Sequence, residues 1–153
     1  MYKFLLIAAL VPTLVLAQTP VYQCPNGAGL PASVDINGCT TSPCPIYNNA
    51  PIVAHGLDIV SPVDTATLTA YISVRLLGLE VPFPIPDELV DACVAGTPPG
   101  TCPVSAGDVF DYTLDYPGME LPIVGVTVQI EVGLTAADGS DVTCVAFDAE
   151  IRP

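Results

Sequence analysis

Two stretches of strict alternation constrain this chain most. From Thr65 to Leu76, the residues Ala66, Leu68, Ala70, Ile72, Val74 and Leu76 fall on one side and Thr67, Thr69, Tyr71, Ser73 and Arg75 on the other. From Val124 to Thr135, Val124, Val126, Val128, Ile130, Val132 and Leu134 oppose Gly125, Thr127, Gln129, Glu131, Gly133 and Thr135. Side chains alternate between the two faces of a strand, so a period of two over this length predicts antiparallel strands with one buried face each. Shorter segments follow the same rule. Phe110, Tyr112, Leu114 and Tyr116 alternate with polar neighbours, and Val145, Phe147, Ala149 and Ile151 form a returning face after the hairpin signal Asp138-Gly139. Extended segments are also read at Ala32 to Ile36 and Pro51 to Val60, with Asn37-Gly38 and Pro117-Gly118 as turns. Only Asp87 to Ala95 has the start and stop residues of a helical turn. The 17 prolines and 12 glycines lie mainly in connections. The expectation is an all-β, two-sheet antiparallel sandwich.

The run Val81-Pro82-Phe83-Pro84-Ile85-Pro86 sets a second constraint. Proline at alternate positions removes three backbone donors, so the run is barred from a sheet interior and must follow an edge or a rim. Val81, Phe83 and Ile85 then need cover from the body of the protein, a partner or an apolar ligand.

Residues 1–17 carry one cation, Lys3, then the apolar runs Phe4 to Val11 and Leu14 to Ala17. This is the pattern of a secretory leader cut after Ala17, too short to serve as a membrane anchor. The domains are therefore read as residues 1–17, a signal peptide, and residues 18–153, one domain of 136 residues, the 153 of the chain less the 17 of the leader. Loss of Lys3 leaves Arg75 and Arg152 against 16 acids, a formal charge of −14. Such a surface repels phosphate backbones and anionic headgroups, which argues against nucleic acid and against strong docking on anionic membranes.

All six cysteines, Cys24, Cys39, Cys44, Cys93, Cys102 and Cys144, lie in the mature part. An even count behind a leader argues for three disulfides, although spacing leaves fifteen pairings open. Cys39 with Cys44 and Cys93 with Cys102 are natural local bridges, which leaves Cys24 to reach Cys144. Zinc would favour tighter pairs and a reducing compartment.

Catalytic chemistry finds few groups to use. His55 is the one histidine, no G-x-S-x-G elbow is present, and Asp87, Glu88 and Asp91 do not have EF-hand spacing. The reading is of a non-enzyme without catalytic residues, metal or cofactor. None of Asn26, Asn37, Asn48 or Asn49 opens an ordinary N-glycosylation sequon; Asn37-Gly38-Cys39 is at best a rare variant.

A first cysteine near the mature start, the turn Ser42-Pro43-Cys44-Pro45, the VPFPIP run, Cys93 followed by Cys102-Pro103, an aromatic-rich strand and a cysteine in the last strand together resemble the ML lipid-recognition domain family. Within it, the branch of soluble Niemann-Pick type C sterol carriers and their arthropod homologues is the most similar. The resemblance spans Val21 to Pro153. It implies an immunoglobulin-like sandwich with an apolar cavity between the sheets, the pairing Cys24–Cys144 beside the two local bridges, and a place for Phe83 at the cavity mouth. A second mouth residue is matched by Tyr116 on identity (Tyr116-Pro117) and by Leu121 on distance to Cys144 (Leu121-Pro122). The ligand-binding set expected is Val81, Phe83, Ile85, Tyr112, Tyr116, Leu121, Val126, Val128 and Ile130. The function implied is a secreted, monomeric carrier of a sterol, fatty acid or other apolar small molecule, with the lysosomal lumen a less favoured location. Two alternatives remain, a lipid-recognition module that engages a membrane receptor and a structural sandwich without ligand.

Overall fold

The computed structural model describes residues 18–118 and 120–153; the leader read over residues 1–17 lies outside them. In chain order the elements are β1 (Tyr22–Gln23), β2 (Ser33–Ile36), β3 (Cys44–Tyr47), β4 (Ile52–Val60), β5 (Leu68–Leu76), β6 (Leu79–Phe83), α1 (Asp87–Val90), β7 (Val109–Tyr116), β8 (Thr127–Ala136) and β9 (Asp141–Arg152). They form two sheets. One runs β1-β9-β8-β5-β6 with β3 also on β9, and the other is β2-β4-β7. The two-sheet sandwich read from the alternation, immunoglobulin-like as the family resemblance implies, is thus what the chain forms, and the turn at Asp87 is a single helical turn.

The apolar faces meet as the period of two requires. Val34, Ile36, Ile52, Ile59 and the alternate β7 residues Phe110, Tyr112, Leu114 and Tyr116 pack from the smaller sheet. Leu68, Ile72, Ile130, Leu134, Phe147 and Ile151 pack from the larger one. Each fully buried side chain of this kind contributes about 1.5–3 kcal/mol from area removed from water. The disulfides join Cys24 to Cys144, Cys39 to Cys44 and Cys93 to Cys102.

Four details depart from the alternation. Ala66 is exposed, because β5 begins at Leu68 after an isolated bridge between Thr65 and Val104. Val124 is 44% exposed and precedes β8, whose entry follows Gly125 at φ +77°. Cys44 to Tyr47, which shows no alternation in the sequence, is a strand parallel to β9, with Cys44 opposite Ala149 and Tyr47 opposite Arg152. Its proline is tolerated because β3 has no further strand beyond it.

The last departure is Glu131, which belongs to the outward face yet is 5% exposed. Residues 24–28, just after β1, lie over that face of the larger sheet, where Cys24, Ala28, Cys144 and Ala146 pack with Tyr71 in a second cluster and Asn26 donates to the Tyr71 hydroxyl. Tyr71 lies so close to Gly133 that any Cβ there would collide with its ring. Glu131 Oε2 accepts from the Ser73 hydroxyl at 3.3 Å, and Oε1, which has no hydrogen-bond partner among the described residues, is 3.4 Å from the Arg75 guanidinium.

Candidate functional site

The proline run is an edge. Among the described residues β6 pairs only with β5, placing Leu76 opposite Leu79, Val74 opposite Val81 and Ile72 opposite Phe83. Cross-strand partners share a face, so Leu79, Val81 and Phe83 all point to the inner side, where β5 is apolar. The stretch between β7 and β8 folds back toward them. It is fastened by the Leu121 N–H donating to Asn48 Oδ1 at 2.8 Å, and by mutual bonds of Gly125 and Val126 with Ile151 at 2.7 and 2.9 Å.

Between this roof and the end of the larger sheet lies a cavity of about 350 Å³. Val74 and Leu76 of β5 form one wall, with Val81 and Phe83 of the edge strand beside them. Leu121, Pro122 and Ile123 form the roof, and Val126, Val128 and Ile151 the floor. Every lining side chain is apolar, and none comes from β2, β4 or β7. The volume is at the lower end of the range of about 300–1,000 Å³ common to small-molecule sites. Between the sheets proper lie two smaller voids of about 30 and 20 Å³, room for little more than a single water each. The cavity of about 350 Å³ thus takes its strand lining from the larger sheet and not from the smaller.

Of the residues named from sequence, Val81, Phe83, Leu121, Val126 and Val128 line this cavity. Tyr116 stands behind it: its ring is 6.3 Å from that of Phe83, tilted by 58°, and its hydroxyl donates to the Pro84 carbonyl at 3.0 Å. Tyr116 and Ile130 border the smaller of the two inter-sheet voids and Tyr112 the larger. Ile85 is half-buried against the core. The two candidates for the second mouth position are thus both adjacent to Phe83 but do different things, Leu121 facing the cavity and Tyr116 bracing the edge strand from behind. The alternation did not single out Val74, Leu76, Ile123 and Ile151 as lining, since it assigns residues to a face and not to a position along the sandwich.

The rim is apolar and exposed. Leu79 is 72% and Val81 60% exposed, and Leu77, at the tip of the β5–β6 hairpin, 94%. The two arginines are engaged elsewhere, Arg75 with Glu80 at 2.8 Å and Arg152 with Glu150 at 2.9 Å. His55 is exposed on the smaller sheet, its Nδ1 3.0 Å from the Thr113 hydroxyl oxygen. Among the described residues, the grouping of potential metal-ligand atoms brings Glu131 to Cys24 and Cys144, whose sulfurs are already joined to each other. Burial pushes the Tyr112 hydroxyl up to about 12. Burial first and the neighbouring Asp148 or Asp141 carboxylates next do the same for Tyr22 and Tyr71.

A family model described as the ML domain matches residues 18–151. The NPC intracellular cholesterol transporter 2 of Danio rerio is 29% identical over 130 residues, covering 84% of this chain and 82% of that protein. The mite group 2 allergen Tyr p 2 of Tyrophagus putrescentiae is 29% identical over 152 residues, 99% of each chain. Among solved structures, a Niemann-Pick type C2 protein from the Japanese carpenter ant superposes with a TM-score of 0.71 at 21% identity, covering 87% of this chain and 99% of that one. Chicken MD-1 complexed with lipid IVa gives 0.50 at 16% identity, covering 84% and 85%. At these identities the two superpositions bear on the fold alone.

Proposed function

The chain belongs to the ML domain family, and from that premise we propose that it is a non-enzymatic carrier that binds an apolar small molecule, a sterol or a fatty acid, in the cavity under the β7–β8 roof. The observation that carries this reading is the cavity itself, about 350 Å³ with an all-apolar lining beside the proline-stiffened edge. Ligand affinity would come from apolar surface removed from water, at about 25 cal/mol per Å² before the costs of association. With no charged or hydrogen-bonding side chain in the lining, a polar head group would have to remain at the mouth, and specificity would rest on shape. A relative named as a cholesterol transporter supports the reading.

The protein so read is secreted and monomeric, its leader removed after Ala17, and the charge of −14 on the mature part suits a freely diffusing carrier. A second reading, a receptor-engaging lipid sensor, draws on the exposed Leu77, Leu79 and Val81 flanking the mouth. Native mass spectrometry of the secreted protein, followed by organic extraction, tests the carrier reading. A co-purifying apolar molecule displaced by excess fluorescent sterol or fatty acid is the expected result. A ligand-free mass that no sterol or fatty acid shifts refutes it. The sensor reading requires in addition a membrane receptor bound only by the lipid-loaded form.

A further inference from the structure

Two lines converge on residue 18. The leader reading places the mature end after Ala17, and the family match begins at residue 18. From the next residue on, the chain is held tightly. Thr19 is 4% exposed, and its N–H donates to the Val34 carbonyl at 2.9 Å. Its hydroxyl donates to the Cys39 carbonyl at 2.8 Å and accepts the Ile36 N–H at 2.8 Å. This one side chain therefore ties the start of the domain to β2 and to the Cys39–Cys44 turn. Gln18, one position earlier, is exposed, and its side chain makes no hydrogen bond among the described residues.

We propose that Gln18 is a modification site and that the mature amino terminus is a pyroglutamate, an inference that rests on the leader being cut after Ala17. Once that bond is hydrolysed, the freed α-amine of Gln18 attacks the side-chain amide carbon of the same residue. A carbon–nitrogen bond forms in a five-membered lactam, the bond from Cδ to Nε2 breaks, and the amide nitrogen leaves as ammonia, taking up the proton the amine gives up. No electrons are transferred and no co-reactant is consumed. An α-amine titrates near pH 7.7–8.0, so roughly a fifth to a third of it is the neutral nucleophile at about pH 7.4.

The geometry permits this closure and preserves the fold through it. The reacting atoms all belong to Gln18, whose exposed side chain makes no hydrogen bond among the described residues and can swing onto its own amine. The bonds that anchor the chain start belong to Thr19 and use neither the amine nor the amide of Gln18. Lactam formation therefore leaves the β2 contacts in place. Its electrostatic effect is the loss of one positive charge, the amine being, among the described residues of the mature chain, the one cation outside an ion pair. Arg75 is paired with Glu80 and Glu131, and Arg152 with Glu150. The cyclised protein presents carboxylates without any unpaired positive group, which deepens its repulsion from anionic surfaces. It also offers aminopeptidases no free amine.

The test uses two materials, full-length protein secreted from eukaryotic cells and a chain released directly before Gln18 from an amino-terminal tag and then incubated at neutral pH. Expected in both is an amino-terminal peptide lighter than the Gln18 peptide by one ammonia, blocked to stepwise degradation and unblocked by pyroglutamate aminopeptidase. The secreted Gln18→Glu variant should keep its free amine under the same conditions. A Gln18 peptide with an intact amine in both materials after prolonged incubation overturns the cyclisation. A secreted chain that starts at another residue, while the released chain cyclises, overturns the cleavage site and with it the native modification.

Discussion

Changing Phe83 to Ala separates a cavity wall from a packed core. The ring is half-buried, faces the cavity on one side and meets Tyr116 on the other, at 6.3 Å between centroids. A Phe buried on all sides costs about 3–5 kcal/mol when cut to Ala, because transfer and cavity terms add. Here one side already borders empty space, so what is lost in the unliganded protein is the aromatic pair, worth about 0.5–1.5 kcal/mol, and a fraction of the buried area. Pro82 and Pro84 keep the backbone of the edge extended whether or not the ring is present. The expected loss is about 1–2 kcal/mol, read as a shifted midpoint with an unchanged slope in urea unfolding. Affinity should fall further in proportion, since a ring in contact with an apolar ligand contributes on the order of 1–3 kcal/mol, about tenfold or more in Kd. Displacement of a fluorescent sterol or fatty acid measures it. A stability loss near 4 kcal/mol with unchanged affinity would refute the reasoning, because the edge strand would then be closing a core and not walling a site.

Leu77 and Gly78 sit at φ +51° and +79° in a two-residue hairpin turn, a conformation that favours Asn and costs a branched side chain about 1–2 kcal/mol. Because Leu77 is 94% exposed and repays nothing by burial, Leu77→Asn should raise stability by about 1 kcal/mol in thermal or urea unfolding. In alkali, Tyr22, Tyr71 and Tyr112, held near 12 in the fold against an ordinary 10.0, keep their protons longer than in the unfolded chain. Their contribution to stability is therefore fully present below about pH 10 and is lost as the pH rises toward 12; ultraviolet tyrosinate titration of folded and urea-unfolded protein should show the two ionisation ranges apart. Replacing both Cys24 and Cys144 by Ala opens a loop of 120 residues and should cost about 4–5 kcal/mol in the chain-entropy model, measured by urea unfolding, with the two local bridges intact by peptide mapping.

What the amino-acid sequence determines by itself is whatever depends on local period and local chemistry. Alternation at Leu68 to Leu76 and Thr127 to Ala136 specifies strands and their buried faces, because a strand's two faces are fixed by its own geometry. Prolines 82 and 84 specify an edge, because a missing donor cannot serve a second neighbour. Partnership and position along the sandwich are decided elsewhere. Glu131 is polar in a polar register and yet buried, since residues more than a hundred positions away cross over it. Cys44 to Tyr47 is too short to show a period and becomes a strand only because the outer edge of β9 is open to it. The cavity is the clearest case. Val128 and Ile130 share a face and differ by two positions, but Val128 borders about 350 Å³ of space while Ile130 meets the other sheet. That difference arises where the Leu121 roof, tethered to Asn48, and not a strand of the smaller sheet, faces the larger sheet. Only the assembled chain places an end of one sheet opposite a loop from another part of the sequence.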